Sequence, residues 1–364
     1  MLAVMFGGLV PAFALTHSVV SHYKDQRLRL AADWSERGNH DLASRPDAAA
    51  VDFQTALSYG PDRVMDRLRL SQALTAAGRP AEARAELLTL WTETPGDGEV
   101  NLELARLSAR DGDITDAVRY YHAAIDGAWA TGARSARHQA RLELARLLLA
   151  AGQRLAAQSE LIALIDDLPP DSKAMTEVGS LLADAGADNR ALTLLRSALA
   201  LDPSNAPAAT VAGRIAYRSG DYGAARSFLN TAKSHGSLDP GAAAMLEVST
   251  RVLALDPSAR GLGTRARGQR VLAALMVAGS RLAQCQMHAP ADEQAATRFT
   301  DLSTRLEAAR KQQRRAIERD PDLGDRIMSL VFDIEALPPA QCGDASFDDR
   351  ALQLIARQGQ PAVR

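Results

Sequence analysis

The chain has 364 residues, a formal net charge of −2, 46% hydrophobic residues and only 4% aromatic ones. Ala and Leu carry most of the apolar content, which suits close-packed helices and argues against a large β-sheet. The balance of 42 Lys plus Arg against 44 Asp plus Glu leaves no global basic field for nucleic acid. Only four of those cations are lysines (Lys24, Lys173, Lys233, Lys311), and the surplus of Arg and Ala is the usage of a GC-rich, bacterial genome.

From Met1 to Val20 there is no Asp, Glu, Lys or Arg. At ~1.5 Å rise per residue a helix of this length reaches across a ~30 Å hydrocarbon core, so residues 1–22 predict a membrane anchor. Ala12, Phe13 and Ala14 also form an A-x-A pattern, which keeps a cleaved signal segment as the rival reading. Lys24, Arg27, Arg29 and Arg37 would hold the following flank in the cytoplasm, but Asp25, Asp33 and Glu36 dilute them. Two cysteines fit an oxidising compartment, and the expected location of the rest is the periplasmic face of a membrane.

Beyond the anchor the chain repeats itself. In residues 64–95, Leu70, Ser71, Leu74, Gly78, Ala83, Leu87, Leu90 and Pro95 occupy positions 7, 8, 11, 15, 20, 24, 27 and 32 of a unit. Starting at Gly98 the same grid holds Leu104, Ala105, Ser108, Gly112, Ala117, Tyr121 and Ala124; starting at His138 it holds Leu144, Ala145, Leu148, Gly152, Ala157, Leu161, Leu164 and Pro169. Copies from Ser172 (Val178, Gly179, Gly186, Ala191, Leu195, Pro203) and Ala206 (Ala212, Gly213, Gly220, Ala225, Leu229) follow. A looser unit ends with Phe53, Ala56 and Pro61; taking Gly38 as its turn glycine requires an insertion of six residues near Pro46. Apolar positions at helical spacing make two amphipathic helices per unit, a glycine at position 15 permits the turn, and small residues at 8 and 20 allow close approach.

These residues closely resemble the tetratricopeptide repeat family over about Gln26–Asp239. The resemblance implies an all-α chain: a right-handed superhelical solenoid of helix-turn-helix repeats at 26–257, followed by a small C-terminal helical bundle at 258–364. Six extra residues, Gly132 to Arg137, are expected to interrupt the stacking. In the tail, Val271, Leu275, Ala278, Leu282 and Cys285, then Phe299, Leu302, Leu306 and Ala309, step by three and four along successive helices. Asp320 and Pro321 signal the start of a helix carrying Ile327, Leu330, Val331 and Ile334, and Ser346 with Asp349 makes a capping box for a last one carrying Leu352 and Ile355. These stripes form either a bundle packed on the last repeat or a hairpin that forms a homodimer.

Little catalytic chemistry is legible. Cys285 and Cys342 are either disulfide-bonded, tying the ends of the bundle, or two buried thiols. Cys285, Met287 and His288 lack a second ligand pair, and no haem-attachment pattern exists, so no metal or cofactor is expected. The glycines from Gly263 to Gly268 mimic a phosphate loop, but Gln269 and Arg270 stand where Lys and Ser/Thr are required. Seven scattered histidines make no Ser/His/Asp or Cys/His constellation, and the chain reads as no enzyme.

The family resemblance implies that the first helix of each unit lines a concave face through positions 2, 5, 9, 12 and 13. Those positions include Arg106, Arg110, Arg146, Lys173, Arg214, Tyr217 and Arg218, interrupted by Gln72, Glu99, Gln139, Ser180 and Asp184. Guanidinium forks match carboxylates bidentately, so such a groove fits peptide partners bearing acidic or carboxylate segments. Leu68 and Gln72 replace the first pair of the Lys and Asn clamp of chaperone-binding relatives. The expected function is a non-catalytic interaction scaffold for envelope partners, with an accessory subunit of an envelope enzyme or export complex as the alternative.

Overall fold

A computed structural model describes residues 2–286 and 293–358, with the side chains of these except at 2–12, 14, 15 and 286. Among the described residues there are nineteen α-helices and no strand. The chain divides into two compact units, Met1–Asp167 and Leu168–Arg364.

In the first unit α1 (Leu2–Asp41) pairs with α2 (Pro46–Tyr59), α3 (Val64–Ala76) with α4 (Pro80–Glu93), α5 (Gly98–Arg110) with α6 (Ile114–Asp126), and α7 (Ala133–Ala150) with α8 (Arg154–Ile165). Each hairpin also packs on the next one in this unit, so the apolar stripe of every helix finds a neighbour. The shared core holds Phe53, Leu70, Leu74, Leu87, Leu104, Tyr121 and Leu144, among others.

The turn within a hairpin follows from the residue at position 15. Gly78, Gly112 and Gly152 have φ of +76°, +79° and +73°, a left-handed conformation that a side chain disfavours. That conformation lets the next N–H reach back to the helix end: Arg79 donates to the Leu74 carbonyl at 2.8 Å, Asp113 to Ser108 at 2.9 Å and Gln153 to Leu148 at 2.8 Å.

Gly38 does something else. It lies inside α1, and a Cβ there would sit 2.9 Å from the Phe53 ring. Gly179 against Leu195 and Gly213 against Leu229 show the same close approach. Gly38 is therefore the small residue that admits its partner helix, not a turn glycine, and the insertion postulated near Pro46 is unnecessary. The stacking break expected at Gly132–Arg137 is also absent: most of those residues lengthen α7, which packs on α6. A short strap accompanies them, in which Gly98 N–H donates to the Ala128 carbonyl at 2.8 Å and Ala128 N–H to Gly96 at 2.9 Å. The Trp129 ring covers Gly98 where a Cβ has no room, and its indole N–H donates to the Ala124 carbonyl at 2.9 Å.

The anchor read at 1–22 is corrected. Among the described residues no helix is long and apolar enough to cross a membrane, so membrane attachment and the periplasmic placement derived from it are not supported. Residues 2–22 instead open α1, which runs unbroken into the first hairpin, and Thr16, His17, Ser18, Ser21 and His22 put polar side chains ahead of Lys24. The side chains of Ala12 and Ala14 in the cleavage pattern lie outside the described ones.

In the second unit α9 (Ser172–Asp184) pairs with α10 (Asp188–Leu201) and α11 (Ala206–Arg218) with α12 (Tyr222–His235). α13 (Pro240–Leu255) then packs against α12 on one side and against α19 (Phe347–Gln358) on the other. Its contact with the next helix in the chain, α14 (Thr264–Gln286), is slight. The last hairpin is thus completed by a helix from the far end of the chain. Between them, α15 (Glu293–Arg310), α16 (Arg314–Arg319), α17 (Pro321–Glu335) and α18 (Pro339–Cys342) gather round α14. Val271, Leu275, Leu282, Leu302, Leu306, Val331, Ile334 and Leu352 are all buried in this one core, so the apolar stripes that could have served a homodimer are used within the chain.

Capping sets both helix starts: Asp320 accepts from Leu323 N–H at 3.2 Å, and Ser346 and Asp349 cap each other's N–H groups at 3.2 and 2.8 Å. The entry to α19 is held by a polar knot. Cys285 and Cys342 are disulfide-bonded. Arg281, only 1% exposed, donates to the carbonyls of Cys342, Gly343 and Asp344 at 3.2, 3.0 and 3.3 Å. Burial pushes the neighbouring Glu335 carboxyl up to about 8, with the Asp349 charge adding to the rise and Arg281 opposing it. Glu335 is accordingly protonated at neutral pH, which removes one charge from a site where an uncompensated one is costly.

Candidate functional site

The first helices of consecutive hairpins in the first unit, α3, α5 and α7, carry a continuous polar ladder. Arg69 donates to the Gln72 side-chain oxygen at 2.9 Å, and Gln72 donates to Glu103 on α5 at 3.0 Å. Arg106 donates to Glu103 at 2.9 Å and, through a fork of 2.9 and 2.7 Å, to both oxygens of Glu143 on α7. Gln139 and Tyr121 complete the Glu143 shell at 3.0 and 3.2 Å.

A register rule underlies the ladder. Gln72 and Arg106 are position 9 of their units, and each reaches position 6 of the following one, Glu103 and Glu143. Neither glutamate belongs to the concave positions that the family resemblance supplies, and so both escaped the sequence reading. An acceptor recurring 31 residues after one position-9 donor, and 37 after the next across the six-residue insertion, was the available signal.

Electrostatics follows the geometry. Burial alone would push the Glu143 carboxyl up, but the Arg106 guanidinium, with Gln139 and Tyr121, holds it below the usual carboxylate range. Its hydrogen bond to Glu143 pushes the Arg106 guanidinium up. Burial first, and then the Glu143 charge, push the Tyr121 phenol up. Half-buried Glu99, also on α5, is raised by burial against the pull of Arg69. Both members of the Arg106–Glu143 fork are thus ionised at neutral pH and locked together, a charge-assisted pair rather than a free cation.

Of the other sequence-derived groove residues, Arg110 and Arg146 lie in the first unit and Lys173, Arg214, Tyr217 and Arg218 in the second. Arg110, at the end of α5, is exposed and has no ion-pair partner among the described residues. Arg146 is an exposed residue of α7. In the second unit Lys173 is exposed at the start of α9, Arg214 is paired with Asp239, and Arg218 donates to Asp188 at 2.7 Å. Tyr217 is half-buried, meets Tyr222 edge-on at 5.5 Å between centroids, and packs on the apolar core of its unit. Among the described residues no group of His, Cys, Asp and Glu could hold a metal ion; Met287 and His288 lie outside them.

A row of α-hairpins with a turn glycine and small interhelical residues, carrying a polar ladder across first helices, defines a helical-repeat protein of the interaction type. Family comparison agrees: residues 42–107 and 182–247 match one tetratricopeptide repeat model, and 142–206 match a second. The chain carries tetratricopeptide repeats, a kind that typically serves non-catalytic protein–protein interaction. No curated protein matches the chain significantly. Similar solved structures include the C-terminal part of a TPR repeat-containing protein from Cytophaga hutchinsonii, 14% identical with a TM-score of 0.48, matching 68% of this chain and 94% of that one. A tetratricopeptide repeat protein from Parabacteroides merdae is 10% identical with a TM-score of 0.42, over 69% of this chain and 92% of the other. YrrB, described as a TPR protein with an unusual peptide-binding site, is 16% identical with a TM-score of 0.41, over 51% and 93%.

Proposed function

We propose that the chain is a non-catalytic scaffold that holds an extended peptide of a protein partner along α3, α5 and α7. The ladder carries this reading: it is a run of fixed donors and acceptors crossing three hairpins, and Arg106 and Glu143 remain part-exposed after satisfying one another. Fixed groups of both signs match the alternating N–H and C=O of a peptide backbone better than a wholly acidic sequence. Arg106, which the sequence offered for acidic partners, is occupied by Glu103 and Glu143, so the ladder reads a polar, near-neutral segment. The envelope setting rested on the anchor and is not carried forward.

The test is affinity for peptides selected from a random extended library on the wild-type chain. Arg106→Ala and Glu143→Gln should each weaken the selected peptides about tenfold, the scale of one lost charge-assisted contact, with the helical circular-dichroism signal unchanged. Equal affinity in both variants would remove the ladder from the binding face.

A further inference from the structure

The chain's near-neutral charge hides one strongly basic surface. Residues 258–270 and 310–319 hold nine of the 42 cationic residues and one of the 44 acidic ones, which leaves 33 cations against 43 anions elsewhere. Far apart in sequence, the two segments meet in the fold. α14 packs on α16, and a Cβ at Gly268 would lie 3.2 Å from Glu318 Cγ and 3.8 Å from Arg314 Cγ.

Within this surface Arg314 is paired with Glu318 at 3.0 Å, and Arg270 donates to the Asp256 carbonyl at 2.7 Å. Arg260, Arg265, Arg267, Lys311, Arg315 and Arg319 are exposed and have no ion-pair partner among the described residues. Elsewhere the arginines of this chain commonly find a carboxylate, as Arg63, Arg79, Arg84, Arg119, Arg214 and Arg218 do. Arg265 and Arg267 also lie in and beside the first turn of α14, which contains no acidic residue, so their charges add to the positive end of the helix dipole. Like charges gathered in this way repel one another until an anion arrives.

We propose that this surface of α14 and α16 docks an acidic segment of a protein partner. Guanidinium forks bind carboxylates bidentately, and the patch is almost purely Arg. Its lack of any aromatic residue removes the stacking platform that single-stranded nucleic acid uses. The excess of anions over the remainder of the chain opposes a long polyanion running past the patch, whereas a short acidic segment stays within it. The surface acts independently of the ladder on α3, α5 and α7.

Fluorescence anisotropy with a short labelled oligo-glutamate peptide tests the assignment on the full chain. The wild type should bind with an affinity that falls steeply as salt rises. Arg265→Glu, Arg267→Glu, Arg315→Glu and Arg319→Glu together should weaken binding about 30-fold, the scale of four exposed charge contacts, and the corresponding four Gln substitutions should weaken it less. Arg196→Glu with Arg226→Glu, exposed elsewhere in the same unit, and Arg106→Ala on the ladder should each change it less than about twofold. Unchanged binding by both fourfold variants would overturn the docking site. Tighter binding of a DNA duplex or of anionic vesicles than of the oligo-glutamate peptide would overturn the choice of an acidic protein segment.

Discussion

The units Met1–Asp167 and Leu168–Arg364 are built from the same hairpin, yet one polar cluster in each, the ladder of the first and the knot of the second, is built in the opposite way. The ladder is distributed: each member touches the next, and Arg106 and Glu143 keep part of their side chains in solvent. The knot of Arg281, Glu335 and Asp349 is buried, and the same unit presents a surface on which Arg260, Arg265, Arg267, Arg315 and Arg319 have no ion-pair partner among the described residues. A distributed network tolerates the loss of one member because solvent replaces it. A buried knot does not, since whatever remains after a deletion has no water to turn to.

Chemical denaturation of single variants tests that contrast. Arg281→Leu should be the most damaging, about 4 kcal/mol, because three backbone carbonyls lose their buried donor. A loss below about 1 kcal/mol would mean that the knot is wet and the contrast false. Cys285→Ser with Cys342→Ser releases a loop closed across a separation of 57 residues and should lower stability by roughly 2–4 kcal/mol. Dithiothreitol should lower the wild type equally and leave that variant unmoved.

Glu335 sharpens the comparison through pH. Its carboxyl titrates near 8 when folded and near ~4.3 when unfolded, so the unfolded chain releases that proton first as pH rises. The resulting stability is fully present below the lower value and is lost progressively up to about 8. Glu335→Gln should therefore flatten the stability profile over that window and gain on the order of 2–3 kcal/mol relative to wild type at its alkaline end. A parallel fall in both proteins would remove Glu335 as its cause. The smallest effect belongs to the ladder: Arg106→Ala should cost about 1–2 kcal/mol, with a coupling of about 1 kcal/mol to Glu143→Ala in a double-mutant cycle. A coupling of about 3 kcal/mol or more would erase the difference between the ladder and a buried cluster.

Much of the fold was legible because local chemistry and repetition agreed. Gly78, Gly112 and Gly152 announce turns, Asp320 with Pro321 and Ser346 with Asp349 announce helix starts, and the structure places them there. Gly38 was misread because a glycine has two uses, the left-handed turn and the close approach, and only its contact with Phe53 separates them. The charged sites were harder for the same reason in two forms. Glu103 and Glu143 act across hairpins, so their role depends on register between copies, which periodicity within one helix does not report. The basic surface joins α14 to α16 across α15, and averaging over the chain cancels it against acids elsewhere.

The pairing of α13 with α19 bears on how the chain is made. Roughly 90 residues separate the two helices, so the final hairpin remains open on the ribosome until the last helix has emerged. At ~5–20 residues per second, the side of α13 that packs on α19 waits several seconds without its eventual cover. A stop codon ahead of Phe347 would make that interval permanent, leaving a nascent product whose earlier hairpins are complete and whose end is a target for chaperones and proteases.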